Sequence, residues 1–256
     1  MYIDFHTHVK LSKKADFMPE YFREMIQEAQ DNGLTAMAMT EHFNTRMFTD
    51  IYDYLDNNYS YVEDFYDIDG FRLFPGIEVD VKEIGHILLI GNRKDILAIY
   101  KQLIPHKEEE HFIAFRDLLN LAEQYNVLKI GAHPFRKSTP LYHHDIEQLK
   151  RLDAFDLNGK DIYTQGEEAY RTKLQPFAEM VGKPIVGGSD THHFLQYGCV
   201  VNRFDVACHT IQQLKSSIQQ GQYAIEISPS LPIKVKSAKL VKKYMKQMVE
   251  LNVHMK

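Results

Sequence analysis

Met1 to His8 reads M-Y-I-D-F-H-T-H, an alternating apolar run that closes on His-x-His. In a β-strand alternate side chains share a face, so Asp4, His6 and His8 are expected to project together from one strand. Two imidazoles on one face are a ready pair of metal ligands. Similar strand ends recur along the chain. L-T-A-M-A-M-T-E-H ends in Glu41-His42, F-R-L-F-P-G-I-E-V-D-V carries Glu78, V-L-K-I-G-A-H-P-F reaches His133, A-F-D-L-N-G reaches Asn158, and P-I-V-G-G-S-D-T-H-H reaches Asp190, His192 and His193. Between these runs lie helical patterns at 19–33, 94–104, 110–125, 145–151, 167–181 and 209–220, and residues 43–70 also read as mainly helical, with Asp69-Gly70 as a turn. Strands alternating with helices predict parallel β/α units, in which functional side chains gather at the C-terminal strand ends. His86 is different, because it precedes its apolar run. A hairpin over 77–90 with its turn near Lys82 would place Glu78 opposite His86.

Composition excludes several classes. The 256 residues suit one large α/β domain. A hydrophobic fraction of 44% without a long apolar run gives no candidate membrane span, and the absence of an n-region and h-region argues against a signal peptide. Cys199 and Cys208 alone form no disulfide framework and no cysteine zinc site, which fits a reducing cytoplasmic setting. The net charge of −5 gives no overall electrostatic footprint for nucleic acid.

The residue types at the strand ends set the chemistry. Imidazole suits first-row metals and carboxylate can bridge two ions. The six histidines and their carboxylates exceed the roughly 4–6 ligands of one ion, which implies two or three. Each motif alone is weak, since a strand-end histidine is as easily a turn or a polar pair. Glu78 inside an apolar strand is stronger, because an unpaired buried charge is costly.

In order along the chain, H-T-H, T-E-H, G-I-E, G-H-I-L-L-I-G, A-H-P and G-S-D-T-H resemble the PHP family, the polymerase and histidinol phosphatase domains. The resemblance implies a single-domain α/β fold, a distorted (β/α)7 TIM-like barrel over residues 1–230. Residues 231–256 would add a basic amphipathic helix packed on that barrel. It implies a metal-dependent phosphoesterase holding two or three divalent ions (zinc, manganese or iron). The first would be held by His6, His8, Glu78 and Asp190. Glu78, His86 and His133 would hold the second. His42 and His192 would hold the third with Asp16 from the loop after β-strand one, and Glu41 would orient a ligand. Glu78 and Asp190 thus stand at the catalytic centre, and Arg136 is placed to hold the phosphate, against a reading as a plain salt bridge.

The reaction expected is hydrolysis of a small phosphomonoester by a metal-activated water, with His193 or Glu41 as a proton source. Arg203 and Asn158 are further candidates for substrate contact, and His143 and His144 sit in a polar loop that either lids the pocket or is simply solvated. The alternatives are a nuclease acting on nucleic-acid ends and a non-catalytic metal-binding module. The partner expected is a small phosphorylated molecule, not a membrane. Residues 231–256 hold seven lysines against Glu250 alone. Val241, Tyr244, Met245, Met248 and Leu251 at helical spacing read as the docked face, with the lysines solvated.

Overall fold

The computed structural model describes residues 1–254. In chain order the elements are β1 (Tyr2–Thr7), α1 (Pro19–Asp31), β2 (Ala36–Met39), α2 (Phe48–Asn58), β3 (Ser60–Val62), β4 (Phe65–Ile68), β5 (Phe71–Asp80), β6 (His86–Gly91), α3 (Arg93–Leu103), α4 (Phe115–Ala122), β7 (Val127–Ala132), α5 (Ile146–Leu149), β8 (Ala154–Asn158), α6 (Gly159–Gln165), α7 (Glu167–Val181), β9 (Ile185–Gly188), β10 (Val200–Phe204), α8 (Ile211–Gln219), β11 (Tyr223–Ile227) and α9 (Leu231–His254). The barrel strands run in the order β1-β2-β5-β6-β7-β8-β9. Most pairs are parallel, but β6 is antiparallel to both β5 and β7. The ring closes where the Asp190 amide donates to the His6 carbonyl and the His8 amide to the Thr191 carbonyl, both at 2.8 Å. At the opposite end of that seam the Asn202 side chain bonds Gly187 and the Ile3 carbonyl. The result is the distorted seven-strand barrel expected from the sequence, with β10 and β11 extending it antiparallel from β1.

Two apolar clusters hold the fold. One gathers residues from all seven barrel strands, including Ile3, Ala36, Phe74, Leu88, Ile130, Ala154 and Val186, which can only meet inside the ring; Ile211, Leu214 and Ile218 of α8 close it. The other seats the helices outside. In α1, Pro19 takes the first turn, where its missing N–H costs nothing, and Phe22, Met25, Ile26 and Ala29 face Met37 and Met39 of β2 at helical spacing. No helix among the described residues is long and apolar enough to cross a membrane.

Three expectations are corrected. Residues 43–70 hold only α2 as helix. S-Y-V and F-Y-D-I form the antiparallel pair β3–β4, because β4 gains a partner in β5, and the aromatic pattern there has period two rather than 3.6. The helix expected over 110–125 is confined to Phe115–Ala122. The β5–β6 hairpin pairs Asp80, not Glu78, with His86. The slip is two residues, so every side chain keeps its face.

Candidate metal centre

Glu78 is the hub. Its carboxylate is buried on β5, and five imidazoles surround it. His6 Nε2 lies 3.4 Å from Oε1, His133 Nε2 3.5 Å and His86 Nδ1 2.7 Å from the same oxygen. His8 Nε2 lies 3.4 Å and His42 Nδ1 2.8 Å from Oε2. Asp190 faces the hub from the end of β9, with Oδ1 3.8 Å from His6 Nε2 and 3.4 Å from both His8 Nε2 and His192 Nδ1.

His6 and His8 do not reach the centre by simple alternation. Between Asp4 and Thr7 the β1 register slips, three residues of β1 opposing two of β2 from Met37 to Met39. Ile3 and Phe5 therefore fill the barrel while both imidazoles still reach the hub. Asp4 is not with them; it accepts the His6 and Ser189 amides. At the other strand ends His133 and Asp190 take positive φ values of 32° and 56°. Such backbone costs of order 1–3 kcal/mol for a residue with a Cβ and persists only where surrounding structure enforces it.

Fit to metal ions is testable on the donors. Among the described residues, His6 Nε2, both nitrogens of His8, His42 Nδ1, Glu78 Oε2 and His133 Nε2 are buried with no hydrogen-bond partner. Buried polar atoms are nearly always satisfied, and these six converge on one centre. Three trios place one donor atom each within 4.8 Å of the others: His6, His8 and Asp190; His6, Glu78 and His133; and His8, His42 and His192. Two ligands each about 2.1 Å from one ion lie roughly 3–3.4 Å apart, which is the spacing seen around Glu78. The donor set fits divalent ions.

Electrostatics set the protonation of these donors. Burial alone would raise Glu78, but the charged His86 and His6 beside it outweigh burial and hold the carboxyl well below its usual range. Burial and neighbouring cations hold His133 and His192 well below the ordinary imidazole value, and burial takes His42 to about 4, so all three are neutral lone-pair donors. For His6, burial is outweighed by Asp190 and Glu78, which hold it well above. Its Nδ1 donates to Asp156 Oδ2 at 2.9 Å, which aims Nε2 at the hub. Glu41 accepts the Val9, Lys10 and His42 amides and stands 3.6 Å from His8 Nδ1. Burial opposes its ionisation, yet His8 and His42 hold it below its ordinary value. It is held ionised beside His8, without a hydrogen bond to that ring.

Other expected residues are placed differently. Asp16 does not join His42 and His192: its side chain is 65% exposed and pairs with Arg46 at 3.2 Å, because the polar loop carries it to the surface. His8 completes that trio instead. His86 adjoins the hub but has both nitrogens engaged, Nδ1 with Glu78 and Nε2 with Asp80 at 2.9 Å; burial is outweighed and it rises to about 9. Arg136 is neither a free phosphate clamp nor a surface pair. It donates to Asp161 and Asn158, and lies 2.8 Å from Asp190 Oδ2, which fixes that carboxylate. Asn158 caps α6 and donates to Asp156. His143 and His144 donate to the Glu83 and Ile84 carbonyls and pin the β5–β6 turn rather than a lid. Arg203 pairs with Glu226 at the surface.

Sequence reasoning missed Asp80, Asp156, Asp161 and Lys160. Lys160 follows β8 at the start of α6, and its ammonium reaches Asp190 Oδ1 at 2.7 Å and His192 Nδ1 at 3.0 Å.

The barrel has solved counterparts. PsfC from Pseudomonas syringae aligns over 95% of this chain and 98% of its own, with TM-score 0.78 and 20% identity. A lesion-specific endonuclease from Pyrococcus furiosus aligns over 88% of this chain with TM-score 0.64 and 18% identity, and the chain spans 58% of that protein's length. An amidohydrolase from Chromobacterium violaceum with bound sulfate aligns over 87% of this chain and 97% of its own, with TM-score 0.52 and 14% identity. At these identities the likeness is one of fold. A search of curated proteins finds no match. The sequence model of the PHP domain matches residues 4–230, from the strand that carries His-x-His to the start of α9, and the chain is therefore a member of the PHP domain family.

Proposed function

We propose that the chain is a metal-dependent phosphoesterase that hydrolyses a small phosphomonoester. The observation that carries this reading is the set of buried, unpartnered imidazole and carboxylate atoms converging around Glu78. His6, His8 and Asp190 would hold one ion, Glu78, His6 and His133 a second, and His8, His42 and His192 a third; zinc, manganese and iron(II) all suit such donors. When bound, such ions supply Lewis acidity and acidify a water for attack on phosphorus.

The polypeptide does the rest. Glu78 faces donors of all three trios, so it spaces them. Arg136 and Lys160 grip Asp190 from its two oxygens. Lys160 also presents a cation at the cluster's edge, where phosphoryl oxygens carry their charge. His193 is buried beside this edge, and its Nδ1 accepts the Leu195 amide. In the neutral ring the proton then sits on Nε2, from which it could pass to a leaving oxygen.

Turnover of p-nitrophenyl phosphate and of single-stranded DNA should be assayed with protein loaded with each metal in turn. Hydrolysis of the monoester with little cleavage of DNA is the expected result. Bound metal without turnover of either would refute the enzyme reading.

A further inference from the structure

The turn between β5 and β6 carries a residue that neither turn chemistry nor packing accounts for. Ile84 has a φ of 66°. Six non-glycine positions among the described residues have positive φ, and Ile84 alone of them is β-branched. A β-branched side chain is strongly disfavoured in the left-handed region, where glycine, asparagine or aspartate ordinarily stands. Burial does not offset that cost, because the side chain is 54% exposed.

The strained turn is held from several sides. Inside it, the Val81 amide donates to the Gly85 carbonyl at 3.0 Å. From the segment before α4, the Ile113 carbonyl accepts the Lys82 amide, and the Phe115 amide donates to Glu83, both at 2.9 Å. From the loop after β7, His143 and His144 donate to the Glu83 and Ile84 carbonyls at 2.8 Å each. Strain persists only where the surroundings enforce it, and it gathers at functional sites. The side chain so presented lines a cavity of about 500 Å³, the size of an ordinary small-molecule pocket. His86 and Thr139 line the same cavity. The first lies 2.7 Å from Glu78 and the second 3.4 Å from His133 Nδ1, so the cavity adjoins the metal centre.

We propose that Ile84 is a specificity-determining residue, whose side chain with that of Phe112 packs against an uncharged, apolar part of the substrate's leaving group. Phe112 lines the cavity and is itself backed by Phe43, with ring centroids 5.8 Å apart. The charges of the cavity balance. Lys13, Lys82 and Lys107 stand against Asp80, Glu108 and Glu109, and His86 is held between Glu78 and Asp80. A second phosphate or a free amine on the leaving group would meet no excess of opposite charge there, whereas an apolar group gains by covering Ile84. The substrate class is therefore the monophosphate of an uncharged alcohol with an apolar or aromatic face. This inference rests on the phosphoesterase reading for its leaving group; the apolar wall beside the metal centre does not.

Calorimetric titration of the metal-loaded protein with methylphosphonate, benzylphosphonate and 2-aminoethylphosphonate tests this without turnover. Benzylphosphonate should bind at least about 10-fold tighter than methylphosphonate, and 2-aminoethylphosphonate within about 3-fold of it. In Ile84→Asn the benzyl advantage should fall to within about 3-fold while the melting temperature holds or rises, because asparagine accepts the left-handed backbone. A merely structural isoleucine would show the reverse. Ile84→Val should keep most of the advantage. Ile84→Gly, which also takes this backbone, should lose it as Ile84→Asn does and serves if that variant fails to fold. Equal binding of the methyl and benzyl probes by the unaltered protein would overturn the assignment. So would an equal gain from the aminoethyl group, or a benzyl advantage that survives loss of the Ile84 side chain. Benzyl preference without turnover of p-nitrophenyl phosphate would remove the phosphoesterase reading and leave the apolar wall standing. Turnover without benzyl preference would remove the wall alone.

Discussion

Asp156→Asn isolates the support of one ligand. Asp156 and His6 are both buried, and the His6 Nδ1–H donates to Asp156 Oδ2 at 2.9 Å. The change keeps the volume and an oxygen that can accept from Nδ1, and removes only the negative charge. A hydrogen bond to a charged partner contributes about 1.5–3 kcal/mol against roughly 1 for a neutral one. The difference, about 0.5–2 kcal/mol, corresponds to a loss of roughly 2- to 30-fold in metal affinity, which overlaps the low end of the roughly 10- to 100-fold loss seen when carboxylates behind metal-bound histidines are removed. Competition against a chelator of known affinity measures the loss. Activity at saturating metal should fall much less, since Asp156 supports a ligand and faces no substrate. Unchanged affinity would refute the role given to Asp156, and so would a collapse of activity with full metal occupancy.

Glu78→Gln should reduce metal affinity by roughly 100-fold or more, because the hub oxygens face donors of all three trios; equilibrium dialysis with elemental analysis reads this. Asp16→Asn should leave metal content and activity unchanged and stability within about 0.5 kcal/mol, as for an exposed pair; a drop in bound metal would restore Asp16 as a ligand. Burial raises Asp4 to about 7. Its share of stability is present in full below about pH 4 and lost as pH rises through 7, since the unfolded chain gives up that proton first. Asp4→Asn should flatten urea-unfolding stability between pH 4 and 7 by a few kcal/mol in chelator, at about 1.4 kcal/mol per unit. Gly188→Ala should destabilise by roughly 1–3 kcal/mol in thermal unfolding, because its Cβ would lie 2.5 Å from His6 Cβ and 2.6 Å from Asp156 Oδ1.

What was legible in the sequence was the set of chemically loud residues at the ends of apolar runs. H-T-H, T-E-H and G-S-D-T-H announce themselves because metal-ligating residue types recur where apolar runs end, although the register slip in β1 means that strand periodicity alone does not fix where they point. Asp156 was legible in principle: it sits in A-F-D-L-N as Glu78 sits in G-I-E-V-D, a carboxylate inside a buried strand that must have a partner. Asp80 could be found only from the true hairpin register. Asp16 shows the limit of offset reasoning, since a loop's length does not say which way it folds. For α9 the apolar residues form two stripes. Leu231, Val235 and Ala238 bury and Met245 of the expected face packs partly buried against the core, whereas Ile233 and Leu240, and Tyr244 and Met248 of the expected face, stay exposed; only the packing against the barrel chooses between them. The side chain of Leu251 lies outside the described residues.

The charge balance of the centre explains how so many carboxylates can be buried together. Glu78 and Asp190 are each neutralised by the polypeptide itself: Glu78 by His86 and His6, Asp190 by Lys160, Arg136 and His6. A divalent ion in the trio of His6, His8 and Asp190 would compete with the proton on His6 and with the Lys160 ammonium for the same oxygen of Asp190. Binding would therefore be an exchange of cations rather than a simple addition, and it would release a proton from His6 and free Lys160.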